Sequence, residues 1–187
     1  MTNKTFVSQL SAANAPVASV VKLFLEDDGT LPDICFKRLS MAEVSAVYEL
    51  LRGFAQDFES SPYWSVSDQA DRRVLATESA SEVLAQAEAK FFHIVLLGVK
   101  SPSGLSVPAL GVCVLEDQIS IDYRAGHEWG MGCVHGLFEI VCAALQLCAT
   151  PVVAHEGNCN DPDGALLRRA LDGFKKAGSR TDSNPAG

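Results

Sequence analysis

Apolar residues recur along this chain with two different periods, and the switches between them mark out its elements. Val44, Val47, Tyr48, Leu51, Ala55 and Phe58 are spaced three and four apart, drawing one apolar stripe down a helix. Ser40-Met-Ala-Glu43 stands ahead of them as a capping box, in which serine and glutamate satisfy helix donors otherwise left orphaned. A helix is therefore predicted from Ser40 to about Glu59. A second capping box, Ser79-Ala-Ser-Glu82, predicts a shorter helix to about Lys90. Residues 91–99 and 109–115 are apolar runs of strand length. Glu116-Asp117-Gln118 is a tight turn, so 110–115 and 119–123 are predicted to pair as an antiparallel hairpin. Ile119, Ser120, Ile121, Asp122 and Tyr123 alternate, giving that strand one buried and one wet face.

The remaining segments follow the same logic. Residues 17–25 read as a strand or short helix ending at the acidic turn Glu26-Asp27-Asp28-Gly29, and 34–39 as a strand. Residues 60–76 form a connection rich in turn formers and aromatics. Residues 131–148 make a long, nearly uncharged helix, and 151–155 a short strand. A last helix begins near Gly164, with Leu167, Ala170, Leu171 and Phe174 on its stripe and Gly178 as its C-terminal cap. Residues 1–33 are weakly patterned and 179–187 read as a frayed tail. No repeat or linker divides the chain, so 1–187 is expected to be one α+β domain. Its mostly antiparallel sheet of four to five strands would be covered on one face by three to four helices.

Charge narrows the class of partner. Net charge is −8, and the segment 164–177 carries Arg168, Arg169, Lys175 and Lys176 against Asp172, leaving −11 for the rest. Such a surface repels nucleic acid, whose affinity depends on neutralising phosphate with Lys and Arg, and attracts a cationic partner. Six cysteines lie at 35, 113, 133, 142, 148 and 159 without a CxxC pair, and no charged start with an apolar core precedes them. They read as reduced, small hydrophobes in a cytoplasmic protein. His135, Glu139 and Gln146 interrupt 131–149, which is therefore a buried helix and not a membrane span.

Catalytic and metal chemistry find little support. Cys133 follows Gly132 at a helix start, where a thiol pKa can fall, and His135 is two residues on. On a helix those side chains point apart, and Met131 and His135 occupy positions where a nucleophile elbow needs glycine. Gly130, Gly132 and Gly136 lack the spacing of a dinucleotide loop. No metal-ligand pair of HExxH type exists; His135 and Glu139 share a helical face and read as one hydrogen-bonded pair. No cofactor is expected. A small hydrolase or transferase using Cys133, His135 or His155 remains the enzymatic alternative, and an adaptor assembling through its apolar helix the structural one.

The most informative stretch is 119–148, where the wet-and-dry strand ends in a knot of Asp122, Tyr123, Arg124, His127, Glu128 and Trp129 before Gly130 opens the apolar helix. Tyr, Arg and Trp are the residue types that most often anchor interfaces, though the balance for Tyr123 and Trp129 leans towards a structural role, with Trp129 stapling the strand–helix junction into the core. His127 and Glu128 are the better contact candidates, with Tyr63 and Trp64 forming a second aromatic cluster.

The run Ile121-Asp122-Tyr123-Arg124-Ala125-Gly126-His127-Glu128-Trp129-Gly130, followed by the helix near Val134-His-Gly-Leu-Phe138-Glu, resembles the immunity proteins of bacterial polymorphic-toxin and type VI secretion loci. It is most similar to the Trp-Gly group, paired with restriction-endonuclease-like toxins. The likeness spans about residues 110–150, and Trp129 and Gly130 are the positions that match the motif. It implies stoichiometric binding of a cognate toxin, not catalysis. A nuclease is basic where it grips DNA, so an acidic inhibitor is complementary to it. The expected contact residues are Glu116, Asp117, Asp122, Arg124, His127, Glu128, Trp129 and Trp64. The expected partner is a basic nuclease toxin, neither nucleic acid nor membrane, with a homodimer also open.

Overall fold

The computed structural model describes residues 15–27 and 29–179. Residues 1–14 and 180–187, which hold part of the weakly patterned start and nearly all of the expected frayed tail, lie outside the described residues, as does Asp28 of the acidic turn. A helical turn at 15–18 leads to α1 (Lys22–Leu25) and β1 (Asp33–Lys37), then α2 (Met41–Gly53). Three short strands follow, β2 (Asp57–Ser60), β3 (Tyr63–Ser65) and β4 (Ala70–Arg72), before α3 (Ala80–Gln86). Next come β5 (Phe91–Leu97), β6 (Leu110–Leu115), β7 (Gln118–Asp122), α4 (Met131–Leu145), β8 (Val152–Glu156) and α5 (Ala165–Ser179).

The class is α+β, with a larger sheet than the sequence suggested. Six strands run in the order β2-β5-β6-β7-β1-β8, every neighbour antiparallel, and β3-β4 make a separate hairpin. Ile34 and Phe36, Phe92, Ile94 and Leu96, Leu110, Val112 and Val114, and Ile119 and Ile121 share one sheet face. All are at most 1% exposed. Apolar positions of α2, α3, α4 and α5 pack with them into one core. Helices therefore cover one face, as two-layer packing requires. No helix among the described residues is long and apolar enough to cross a membrane.

Both capping boxes form: Ser40 Oγ accepts from Glu43 N, Ser79 Oγ accepts from Glu82 N, and each glutamate returns a bond to its cap nitrogen. The helix predicted to reach Glu59 stops at Gly53. Phe54 N turns back onto Leu51 O, and Gln56 N is captured by Leu97 O, which starts β2 along the sheet edge. Ala55 and Phe58 fit the helical stripe, yet cross-strand hydrogen bonds with β5 win. The predicted 60–76 connection contains the β3-β4 hairpin, turning through Gln69 at φ 52°. Gly178 lies inside α5 and does not cap it.

Candidate binding face

Antiparallel register sorts the sheet face that no helix of the described residues covers into transverse rows, because side chains directly opposite on neighbouring strands share a face. One row reads Glu59, Val95, Gly111, Asp122, Asp33, Glu156 across β2, β5, β6, β7, β1 and β8. The next reads His93, Cys113, Ser120, Cys35, Ala154. Three acids thus stand on three adjacent strands, Asp122 facing Asp33 and Asp33 facing Glu156. Like charges so placed repel. Burial, and then the Asp122 and Glu156 charges, hold the Asp33 carboxyl above its ordinary range.

Asp122 escapes part of that repulsion by lying down. A Cβ on Gly111 would sit 2.0 Å from Asp122 Oδ1, so glycine in this central strand clears the space the carboxylate needs to reach over β6. It meets His93 on β5, with Nε2 to Oδ2 at 2.9 Å, while Ser61 Oγ stands 3.4 Å from Nδ1. The Asp122 bond raises the His93 pKa against the opposing effect of burial. Glu156 pairs with Lys37 at the surface and takes a weak bond from the Cys35 thiol at 3.7 Å. Burial, then Glu156 and Asp33, push that thiol up to about 12. Cys113, directly opposite His93, is raised by burial and by Asp122 and Asp33. Cys113, His93 and Asp122 are the residue types of a thiol triad, but their surroundings favour the thiol over the thiolate nucleophile.

The structure divides the residues singled out in the sequence. Trp129 is 1% exposed: Phe24 and Tyr123 surround it at 5.0 and 5.4 Å, and its Nε1 donates to Arg124 O at 2.8 Å. Its proposed contact role is corrected to a core role, because Phe24, brought in by α1, closes over it. Arg124, His127 and Glu128 are exposed, Arg124 pairing with Asp27 at 3.5 Å. Glu116 and Asp117 are exposed at the hairpin tip, at the opposite end of β6 and β7 from Asp122. Trp64 is exposed on β3 and lines a pocket of about 100 Å³ with Phe91 and His93, next to the open face. The eight residues therefore do not form one cluster. Asp122 alone belongs to the acidic row.

Tyr123, His155 and Asp161 join in a way no sequence signal announced. Tyr123 Oη lies 2.8 Å from His155 Nε2, and His155 Nδ1 lies 3.0 Å from Asp161 Oδ2. Asp161 also accepts from Leu166 N and Leu167 N, tying the chain to the first turn of α5. Burial lowers the His155 pKa, so the neutral ring donates to Asp161 and accepts from Tyr123. Burial pushes the Asp161 pKa up, but the two backbone bonds and His155 outweigh it and leave it lowered. With the His155 and Asp161 side chains 0% and 1% exposed, this Asp-His-Tyr chain is sealed from substrate.

The enzymatic candidates are likewise engaged in structure. Cys133 donates weakly to Glu128 O at 3.6 Å, and His135 faces Glu139 at 3.4 Å and the Phe174 ring edge. Among the described residues no group of three His, Cys, Asp or Glu side chains is arranged to hold a metal ion. A cavity of about 490 Å³ lies between the end of α2, β2 and residues 76–79. Arg52 braces its wall, donating to Ala76 O at 2.7 Å and stacking on Phe58 at 4.5 Å. Compared with protein-family models, characterised proteins and solved structures, the chain has no match.

Proposed function

We propose that this chain is an immunity-type inhibitor whose open sheet face holds a basic protein toxin, with a nuclease the best-fitting class. The observation that carries the reading is the row of acids on a face no helix of the described fold covers. Glu59, Asp122, Asp33 and Glu156 stand in one line, with Asp57 two residues from Glu59 on the same edge strand. Against them the face carries Lys37 and the titratable His93. Acids gathered on a pre-formed surface speed encounter with a cationic partner and fix its orientation. A nuclease held by its DNA-gripping surface is denied its substrate.

The test is co-expression with the product of the neighbouring upstream gene, followed by co-purification and survival of the cells. A one-to-one complex that protects the cells supports the reading. Absence of both complex and protection overturns it. Within a complex, replacing Asp33, Asp122 and Glu156 with the matching amides should slow association by about tenfold and flatten its salt dependence. An unchanged rate and salt slope would remove the open face from the mechanism.

A further inference from the structure

We infer that Ser61, His93 and Asp122 form a catalytic relay in which Ser61 is the nucleophile, acting on small uncharged or cationic esters held against Trp64. Three segments remote in sequence bring these side chains into one line. Ser61 Oγ lies 3.4 Å from His93 Nδ1, and His93 Nε2 lies 2.9 Å from Asp122 Oδ2. A carboxylate only accepts, so Nε2 carries the proton and Nδ1 keeps its lone pair for the serine hydroxyl. The logic is that of a serine-hydrolase triad with the two ring nitrogens exchanged. A serine–base separation of this length is ordinary before substrate binds and shortens in the complex. Ser61 N donates to His93 O at 3.0 Å, which pins the nucleophile's backbone beside the base. Gly111 serves the same line, since a Cβ there would fill the space through which Asp122 reaches the ring.

A place for substrate adjoins the pair. Ser61 and His93 both stand in the wall of the cavity of about 100 Å³, together with Pro62, Trp64, Glu88 and Phe91. Ser61, Trp64 and Phe91 are exposed, so the nucleophile meets solvent beside two uncovered aromatic rings. That space admits a short acyl group, with a flat ring stacked on Trp64. The Trp64 indole N–H has no acceptor among the described residues and supplies a donor for the ester carbonyl oxygen. Glu88 in the wall, with Glu59, Asp33 and Asp122 on the adjoining sheet, repels anionic esters. In the first half-reaction Ser61 Oγ bonds to the carbonyl carbon while its proton passes to Nδ1, and Asp122 holds the imidazolium. The bond to the leaving oxygen breaks, and that oxygen takes the Nδ1 proton to depart as the alcohol. Water then attacks the acyl carbon and gives a proton to Nδ1. The Ser61 ester bond breaks as Oγ recovers that proton, releasing the acid.

Hydrolysis of p-nitrophenyl acetate by the whole chain tests the relay. Ser61→Ala, at an exposed position, and His93→Gln should each lower kcat/KM by at least about a hundredfold, the scale of lost general-base assistance. The anionic p-acetoxybenzoate should be a much poorer substrate for the parent. Asp122→Asn, which relieves the repulsion from Asp33, should slow turnover and move the rising limb of the pH profile downwards. The Asp122 bond is the main cause of the raised His93 pKa, and the other titratable groups around the ring (Asp33, Glu59, Glu88 and Cys113) are unchanged in that variant. Reaction with a fluorophosphonate, followed by peptide mapping, should place the adduct on Ser61. Turnover unchanged in Ser61→Ala or His93→Gln, an adduct confined to cysteine or lysine, or no turnover by the folded parent overturns the relay. None of these outcomes touches the docking role, whose test is capture of a partner.

Discussion

Asp161 is the most informative single residue to remove, because one carboxylate holds three donors that have nowhere else to turn. In Asp161→Ala the amides of Leu166 and Leu167 lose their acceptor, and so does the buried His155 Nδ1–H. Losing a side-chain acceptor at a helix start costs about 0.5–2 kcal/mol. A buried donor left unsatisfied costs about 1–3 kcal/mol. Together the variant should lose roughly 2–5 kcal/mol. At about 2–4 °C per kcal/mol for a chain of this size, that lowers the melting temperature by about 4–20 °C. Asp161→Asn, whose amide oxygen still accepts from the helix but whose NH2 cannot accept from His155, should fall between the two. Thermal and urea unfolding read the order directly. The acid limb gives a second check. The folded-state pKa of His155 is lowered, so its contribution is complete above the unfolded value near 6.5 and is lost as pH falls through the folded one. Asp161, also lowered, loses its contribution further down, below about pH 4. An Asp161→Ala protein melting within 2 °C of the parent, with an unchanged acid limb, would refute the reasoning.

Other outcomes follow from the same geometry. His93 has a raised pKa, so its bond to Asp122 stabilises fully below pH 6.5 and fades as pH rises through the folded value. Its positive charge fades with it, so capture of a basic partner should tighten from pH 6 to 8.5, and His93→Gln should abolish that trend in a binding titration. Gly164 sits at φ 64°, and a Cβ there would meet His155 O at 2.8 Å. Gly164→Ala should therefore cost at least about 1–2 kcal/mol in chemical denaturation. Tyr63 Oη is buried with no hydrogen-bond partner among the described residues, so Tyr63→Phe should leave stability level or raise it by up to about 1 kcal/mol; a loss larger than that would place a bound water there.

Local patterns determined the elements whose cause is local. Ser40 with Glu43, and Ser79 with Glu82, start helices because a cap and its reciprocal bond need only four residues. The 110–123 hairpin was readable because its turn and alternation are adjacent in sequence. The end of α2 was not readable, since Ala55 and Phe58 keep the helical stripe and only hydrogen bonds to β5, over thirty residues away, draw Asp57–Ser60 into the sheet. The knot was visible as a concentration of polar and aromatic groups, but its sorting was not. Trp129 goes inside because α1 supplies Phe24, Tyr123 because β8 supplies His155, and Asp122 reaches His93 because Gly111 lies between them. Net acidity is a property of composition and was available at once. Its arrangement into a row required β1 to insert between β7 and β8, which sets Asp33 between Asp122 and Glu156. Pairing of strands so distant in sequence depends on the whole core closing, and no local run of residues encodes it.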